Sequence, residues 1–360
     1  MLFSELLKDV PTILETRGDT GVEIASLVTN SRDEAQNGLF FCIRGMRFDA
    51  HAFAPQAVEN GCVALVVEDF VDVPVAQARV ENVRSAMAYI ASAFYGHPER
   101  SLRMLGVCGT KGKTTTSFLL KAILEAAGYK TGLIGTTGNL IGDKHLPSNM
   151  TTPDPVDLHR CLRQMADEGV TAVSMEVSAH AVDMHRLDGV PFEAACFTNL
   201  SQDHLDYFYT MENYFQTKKR FFLEGAVKNA ALNADDEYSE RIQKEIRIPY
   251  ITYGISANAD VFARDIEISE TGVSFSILLR GLENVTIRMR LTGMFNVYNA
   301  LAAASLAMIL GIDKAAIKAG LESVKAVPGR VEMLDTNTPY RVILDYAHSP
   351  DALENVLSTV

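Results

Sequence analysis

The sequence predicts an α/β protein of more than one domain, on three observations. From residue 102 onward, short apolar runs alternate with helical stretches, the pattern of a mostly parallel sheet. One strand–helix junction carries a glycine-rich turn, GVCGTKGKTTT over 106–116, of the kind that holds phosphate. The length, 360 residues, exceeds what a single hydrophobic core usually organises.

Residues 1–97 form the first domain, with GLFFCI and CVALVVE as strands and AHAFAPQAVENG and VRSAMAYIASAFYG as helices. Turn residues in GHPERS (96–101) set a boundary, and a second domain runs over 98–330. Its runs LGVC, KTGLIG, AVSMEVS, AACFTN, NAALNADD and PYITYG are the expected parallel strands. VFARDIEISETGVSFSILLRGLENVTIRMRL adds an antiparallel segment with turns at Thr271-Gly272 and Gly281. A long helix, MFNVYNALAAASLAMILG, follows. The segment YRVILDYAHSPDALENVLSTV predicts a strand over 341–345 and a helix from Pro350 or Asp351. One strand and one helix cannot make a domain. Residues 331–360 are therefore the start of a third domain, cut short or packed on something else.

The glycine-rich turn departs from the usual phosphate loop. Gly, four residues, then Gly-Lys-Ser/Thr would need a glycine at 107, where Val107 stands; Gly106 is one residue early and Gly109 two late. The context restores the assignment. LRMLGVC is a buried strand, and Phe118, Leu119, Ala122, Ile123 and Ala126 fall at helical spacing before Gly128. Gly109, Thr110, Lys111 and Gly112 form the turn, whose N–H groups and the Lys113 ammonium would hold phosphate oxygens. The Thr114 or Thr115 hydroxyl would ligate Mg²⁺.

Composition removes other classes. No apolar run approaches a membrane span, and MLFSELLKDV lacks the basic start and apolar centre of a signal peptide. The cysteines at 42, 62, 108, 161 and 196 are scattered without a CxxC, as reduced core thiols of a cytoplasmic protein would be. A formal charge of −12 argues against nucleic acid as a partner, though not against a nucleotide met by local cations.

Further chemistry sits downstream. In TMENYFQTKKRFFLEG, Thr210 can cap a helix whose Met211, Tyr214, Phe215, Lys218 and Phe222 share one face, with Lys219 and Arg220 pointing elsewhere. A lysine so enclosed has its charged form disfavoured. A neutral amine can add CO₂ and become a carbamate, an anion able to ligate Mg²⁺. The pattern equally fits a lysine whose stem packs while its ammonium reaches water. VSMEVSAH puts Glu176 at a strand end, followed by Ser178 and His180; CFTNLSQDHLDYF puts Asp203, His204 and Asp206 past the next strand. Each alone suits a turn or cap. Together, at the carboxyl ends of strands where the phosphate loop also lies, they put Glu176 and His204 within reach of a metal beside the phosphates.

The blocks GTKGKTTT, TTPDP, MEVSAHAVDMHRLDGV, FTNLSQDHLDYFYTMENYFQTKKRFF, NADD, GMFNVYNALAA, PGRVEML and DYAHSPDALENVL resemble the Mur ligases across essentially the whole chain. The similarity is greatest to the members that add the third amino acid of the peptidoglycan stem. It implies a UDP-sugar-binding first domain, an ATPase domain and a Rossmann-like third domain. It implies a cytoplasmic, ATP-dependent amide ligase, probing neither nucleic acid nor membrane and acting as a monomer. Its substrates would be UDP-MurNAc-L-Ala-D-Glu and an amino acid, meso-diaminopimelate or L-lysine, joined through an acyl phosphate. Carried over by residue, Lys113 would bind the β- and γ-phosphates, and Thr114 or Thr115 with Glu176 would hold one Mg²⁺. His204 and a carbamate on Lys218 would hold a second. Asn296, Asn299, Arg330 and Asp345 match nucleotide contacts. Thr151, Thr152, Ser178 and Arg186 match contacts to the UDP-sugar peptide, and Ser31 with Gly45, Met46 and Arg47 match the uridine site.

The chain departs from the family in places. Lys111 stands where members often have Asn, Ala179 replaces the second Ser of Ser-Ser-His, and Met184 falls where a polar contact can occur. The chain ends at Val360, ahead of the segment that reads the incoming amino acid, so the acceptor stays open. A folylpolyglutamate synthase shares the phosphate loop and the amide chemistry but has no domain like residues 1–97. A non-catalytic nucleotide- and UDP-sugar-binding fragment is the other alternative; retention of Lys113, Glu176, His204 and Lys218 argues against it.

Overall fold

The computed structural model describes residues 1–360 apart from 46, 47, 149, 257, 280–283, 335, 337–339, 341, 348, 349 and 358–360, and apart from the side chains of 279, 350–352 and 355. The chain forms two compact units. The first takes Met1–Arg100 together with Pro153–Gln164 and Asp183–Val190; the second takes Ser101–Thr152, Met165–Val182 and Pro191–Val360.

In the first unit the strands lie in the order Ile13–Arg17, Ala76–Val80, Cys62–Val67, Gly38–Phe41, Ser26–Val28. Only the first pair is antiparallel. Helix Val83–Phe94 begins at Asn82, whose side chain accepts from the N–H groups of Arg84 and Ser85. It buries Met87, Ile90 and Ala91 against Phe3, Leu39, Phe41 and Val66. The stretch expected as one helix over AHAFAPQAVENG is instead a 3₁₀ turn, Ala50–Phe53, followed by helix Ala54–Glu59. Pro55 lacks an N–H and fits the first turn of a helix, which starts the α segment there.

The second unit is built on an eleven-stranded sheet. Its order is Val285–Met289, Gly272–Leu279, Val261–Ser269, Tyr250–Gly254, Ala230–Asn233, Phe192–Phe197, Arg103–Cys108, Ala172–Val177, Thr131–Gly135, Gly138–Ile141, Lys144–Leu146. Pairing is parallel from Val261–Ser269 through Thr131–Gly135 and antiparallel at both edges. One antiparallel edge was expected, although Gly281 lies outside the described residues. The other, the hairpin through Gly142, has no counterpart in the sequence reading.

Two helices share one core against this sheet. Lys113–Ala126 buries Leu119, Leu120, Ile123 and Leu124, and Met294–Ile309 buries Ala300, Leu301 and Ala304 in the same core. The second helix is buried along most of its faces, which explains its alanine-rich sequence. Gly320 of helix Lys314–Ser323 lets it approach closely, since a Cβ there would lie 2.3 Å from the Ile123 Cα. The expected strand near the C-terminus is Val342–Leu344, paired antiparallel with Glu332–Leu334, and helix Pro350–Leu357 follows. All five cysteines are buried and free. Among the described residues no helix is long and apolar enough to cross a membrane.

Candidate active site

The site is assembled where parallel strands end. Strand Arg103–Cys108 runs into a loop whose Gly109 and Gly112 have φ of +147° and +86°. Neither tolerates a side chain. A Cβ at Gly109 would lie 1.9 Å from Thr198 Oγ1, and one at Gly112 2.3 Å from Asn299 Oδ1. The neighbouring strand end pins the loop. Thr110 N–H donates to the Asn199 carbonyl (2.9 Å) and Lys111 N–H to Asn199 Oδ1 (2.9 Å), while Thr198 Oγ1 (2.7 Å) and Asn199 Nδ2 (3.1 Å) donate to the Lys111 carbonyl. Behind it, Thr116 Oγ1 donates to Asn299 Oδ1 (3.3 Å), Asn299 Nδ2 to Asn296 Oδ1 (3.0 Å) and Asn296 Nδ2 to the Thr292 carbonyl (2.7 Å).

Glu176, 1% exposed, ends strand Ala172–Val177. Its Oε2 accepts from Thr114 Oγ1 (3.2 Å) and Thr136 Oγ1 (3.1 Å), and its Oε1 from the Thr136 N–H (2.9 Å). A carboxylate and two hydroxyls form a hard oxygen set of the kind that suits Mg²⁺. Arg330 Nη2 donates to the same Thr114 hydroxyl at 3.0 Å. Thr152 Oγ1 donates to the Glu176 carbonyl (2.8 Å) and accepts from Ser178 N–H (3.1 Å); Thr151 and Thr136 hydroxyls lie 2.9 Å apart.

Lys218 is the most enclosed lysine among the described residues. It is 1% exposed, donates to the Gly109 carbonyl at 2.7 Å and stands 4.7 Å from the Tyr214 ring centroid, so its ammonium does not reach water. Burial lowers its pKa. Lys113 donates to that same Gly109 carbonyl (3.1 Å) and to that of Thr110 (2.9 Å). Its pKa is lowered by burial first and then by Lys218. Two ammoniums on one carbonyl oxygen disfavour each other, and one neutral amine relieves the clash. Lys219, off that face, is itself only 8% exposed and paired with Glu245 at 2.9 Å.

His204 has a φ of +53°, and its ring packs 4.8 Å from that of His180. Burial lowers its pKa, opposed by Asp203 and reinforced by Lys113 and Lys218. The neutral ring this favours is the metal-binding form. Asp345 accepts from the N–H groups of Val331 and Ala347, both at 2.7 Å, beside Arg330, whose guanidinium lies 5.3 Å from the Tyr346 ring centroid.

A cleft of about 590 Å³ gathers most of the predicted residues: 110–115, Thr151, Glu176, Ser178, His204, Asn296, Asn299, Arg330 and Asp345. Gly109 accepts from Lys113 and Thr152 donates to Glu176 of that lining, while Lys218 is outside it and meets it only through Gly109. The rest belong to the first unit. There Ser31 Oγ donates to Gln56 Oε1 (3.1 Å), Gly45 N–H to the Phe48 carbonyl (2.9 Å), and Arg186 Nε pairs with Asp154 Oδ1 (2.8 Å). Met46 and Arg47 lie outside the described residues. No motif or spacing in the sequence marks Thr136, Asn199 or Asp235 as a site residue. Asp235 lines the cleft and accepts from Tyr298 Oη (3.0 Å) and Ile255 N–H (2.7 Å).

Such a cleft can seat a polyphosphate and a hard divalent cation beside a buried amine, which is the equipment of a P-loop enzyme that activates a carboxylate. Residues 107–307 match the Mur ligase middle domain. The chain is 43% identical over 367 residues to the UDP-N-acetylmuramoyl-L-alanyl-D-glutamate–2,6-diaminopimelate ligase of Geobacillus thermodenitrificans, covering 100% of this chain and 75% of that one. It is 40% identical over 366 residues to the enzyme of the same name from Geobacter metallireducens, covering 98% and 71%. A solved structure of a ligase of that name superposes with a TM-score of 0.84 at 28% identity, over 100% of this chain and 74% of the other. A MurF of Acinetobacter baumannii shares the fold, with a TM-score of 0.71 at 23% identity over 98% and 75%. The chain belongs to the Mur ligase family, and with it to the ATP-dependent, amide-forming ligases of peptidoglycan synthesis.

Proposed function

We propose that the chain joins the amine of meso-diaminopimelate to the D-Glu carboxylate of UDP-MurNAc-L-Ala-D-Glu. The γ-phosphoryl of ATP passes to that carboxylate, giving an acyl phosphate and ADP. The amine attacks the acyl carbon, loses a proton, and phosphate leaves as the amide forms. The relatives' names favour diaminopimelate over L-lysine. The observation that carries the reading is the convergence of Lys113, the Thr114–Glu176 pair and buried Lys218 on one phosphate loop.

In this reading Lys113 and the loop N–H groups hold the β- and γ-phosphates, while Asn296, Asn299, Arg330 and Asp345 hold the rest of the nucleotide. Thr114 and Glu176 hold one Mg²⁺. His204 and Lys218 hold the second, Lys218 as a carbamate, since a bare amine on the Gly109 carbonyl brings no oxygen donor. Bound Mg²⁺ neutralises charge on the transferring phosphoryl group. Thr151, Thr152, Ser178 and Arg186 receive the sugar peptide, and Ser31, Gly45, Met46 and Arg47 the uridine. Residues 1–97 serve as the UDP-binding domain, 98–330 as the ATPase domain and 331–360 as the beginning of an amino-acid-binding domain. The enzyme works as a cytoplasmic monomer.

Phosphate release from ATP tests this, with Mg²⁺, bicarbonate and UDP-MurNAc-L-Ala-D-Glu present. Release should require the UDP-dipeptide and rise with meso-diaminopimelate but not L-lysine. Release indifferent to the dipeptide, or equal with both amino acids, overturns the proposal. Binding of the dipeptide without release would favour a binding-competent fragment. Lys218→Ala and Lys218→Arg should each lower release roughly a hundredfold or more and leave UDP-dipeptide binding intact. A guanidinium forms no carbamate, so full turnover by either variant sinks that role for Lys218.

A further inference from the structure

The carboxylates that line the cleft are not equivalent. Glu176 is taken by two threonines, and Asp235 by Tyr298 and a backbone N–H. Asp236 caps helix Glu237–Gln243, and Asp345 accepts from two backbone N–H groups. Asp203 differs. Its Oδ1 accepts from the His204 N–H (3.0 Å), but its Oδ2 is paired with an ammonium, Lys111 Nζ, at 3.3 Å.

Lys111 belongs to the phosphate loop itself, two residues before Lys113. Its backbone is held on both sides by Asn199, so only the side chain can move. Both partners are largely enclosed, with Lys111 28% and Asp203 17% exposed, and both line the cleft. Asp203 adjoins His204, and both sense the charge of Lys218; with His204 and Lys218 assigned to the metal beside the transferring phosphoryl group, Lys111 stands at the outer end of a bound polyphosphate. An ammonium that begins in an ion pair at that place can exchange one oxyanion for another. The exchange conserves its hydrogen bond and gains charge–charge attraction from a phosphate bearing more than one negative charge.

We propose that Lys111 and Asp203 form a nucleotide-displaced latch: the terminal phosphate of a nucleoside triphosphate takes the Lys111 ammonium from Asp203, so that the site distinguishes triphosphate from diphosphate. The proposal rests on the nucleotide reading of the cleft. Lys111 is then a second phosphate-binding lysine, specific to the γ position, and Asp203 is its holder when no triphosphate is bound. After phosphoryl transfer the γ oxygens leave, the ion pair re-forms, and ADP loses the contact.

Equilibrium binding of a non-hydrolysable ATP analogue and of ADP, each with Mg²⁺, tests the latch on the intact chain without any ligation. Lys111→Met should weaken the ATP analogue about tenfold and ADP less than about twofold. Asp203→Asn, which keeps the shape and removes the competing charge, should tighten the ATP analogue several-fold. In the double variant that tightening should vanish, because there is no ammonium left to release. A purely structural ion pair would show the reverse, both single variants weakening both nucleotides alike. Equal effects of Lys111→Met on the two nucleotides, or tightening by Asp203→Asn that persists without Lys111, overturns the latch. A wild-type chain that binds neither nucleotide overturns the nucleotide reading and the latch with it. Binding that is intact in a chain that does not ligate would leave the latch standing and count only against the ligase reaction.

Discussion

At Gly135 a single hydrogen atom decides where the Glu176 carboxylate sits. A Cβ there would lie 2.2 Å from Glu176 Oε1 and 2.9 Å from its Cδ. Gly135→Ala should therefore displace the carboxylate from the Thr136 N–H and from Thr114, costing about 1–3 kcal/mol of stability. Mg²⁺-dependent phosphate release should fall steeply while UDP-dipeptide binding survives; a variant with wild-type release at all Mg²⁺ concentrations would contradict that seat. Glu176 was legible in the sequence because it closes an apolar run, and Lys218 because its helical neighbours at three and four residues are aromatic. Thr136 and Asn199 were not. Their bonds to Glu176 and Lys111 span 40 and 88 residues, and no period marks a residue whose partner is that distant. Lys111 stands out in the sequence only as a departure from family habit; its partner Asp203 is 92 residues away.

Helix Met211–Leu223 carries Lys218 and shows what an element adds to its residues. It starts at Thr210, whose hydroxyl accepts from the Asn213 N–H at 3.1 Å. Thr210→Ala removes that acceptor and should cost about 1 kcal/mol, read as a lowered urea midpoint at unchanged slope. Because Tyr214 and Phe215 are fully buried, the first turn should fray without unseating Lys218, and nucleotide binding should hold. Loss of nucleotide binding would show that the cap positions the site rather than only the helix end. Elements of this kind were the legible part of the fold: caps, apolar periods and glycine stops are local. The hairpin Gly138–Ile141 and Lys144–Leu146 was hidden because its strands are short and end the sheet. Its place is set by pairing with Thr131–Gly135, not by its own pattern. The split of the 50–59 helix was written in Pro55, but apolar spacing outweighed it in the sequence reading.

At the scale of the whole molecule, buried ionisable groups give stability a shape in pH. Glu99, Glu193 and Asp203 have pKa values below the carboxylate norm. For Glu193 the Arg103 bond leads; for Glu99 and Asp203, His159 and His204 respectively, with further partners, outweigh burial. Folded carboxylates of this kind bind fewer protons than unfolded ones, so stability is lost as pH falls from their ordinary values through the folded ones. Lys113 and Lys218 act in the same direction at higher pH. Their folded pKa lies below the ordinary 10.5, so between the two the unfolded chain binds more protons and stability rises with pH. Thiols oppose them. Burial raises Cys62 to about 11 and Cys42 to about 12, with Cys108 and Cys196 also raised, so above the ordinary 9.0 the unfolded chain loses protons first and stability falls. Where the two amines titrate, stability should thus climb with pH, and above 9.0 the four thiols should oppose that climb. Urea midpoints across this range, in buffers freed of CO₂ so that no carbamate forms, measure it. Lys218→Met removes one of the two titrating amines and should flatten the climb while leaving the thiols' opposition in place. A Lys218→Met profile parallel to wild type would mean that Lys218 keeps its proton in the fold, and a protonated amine cannot take up CO₂.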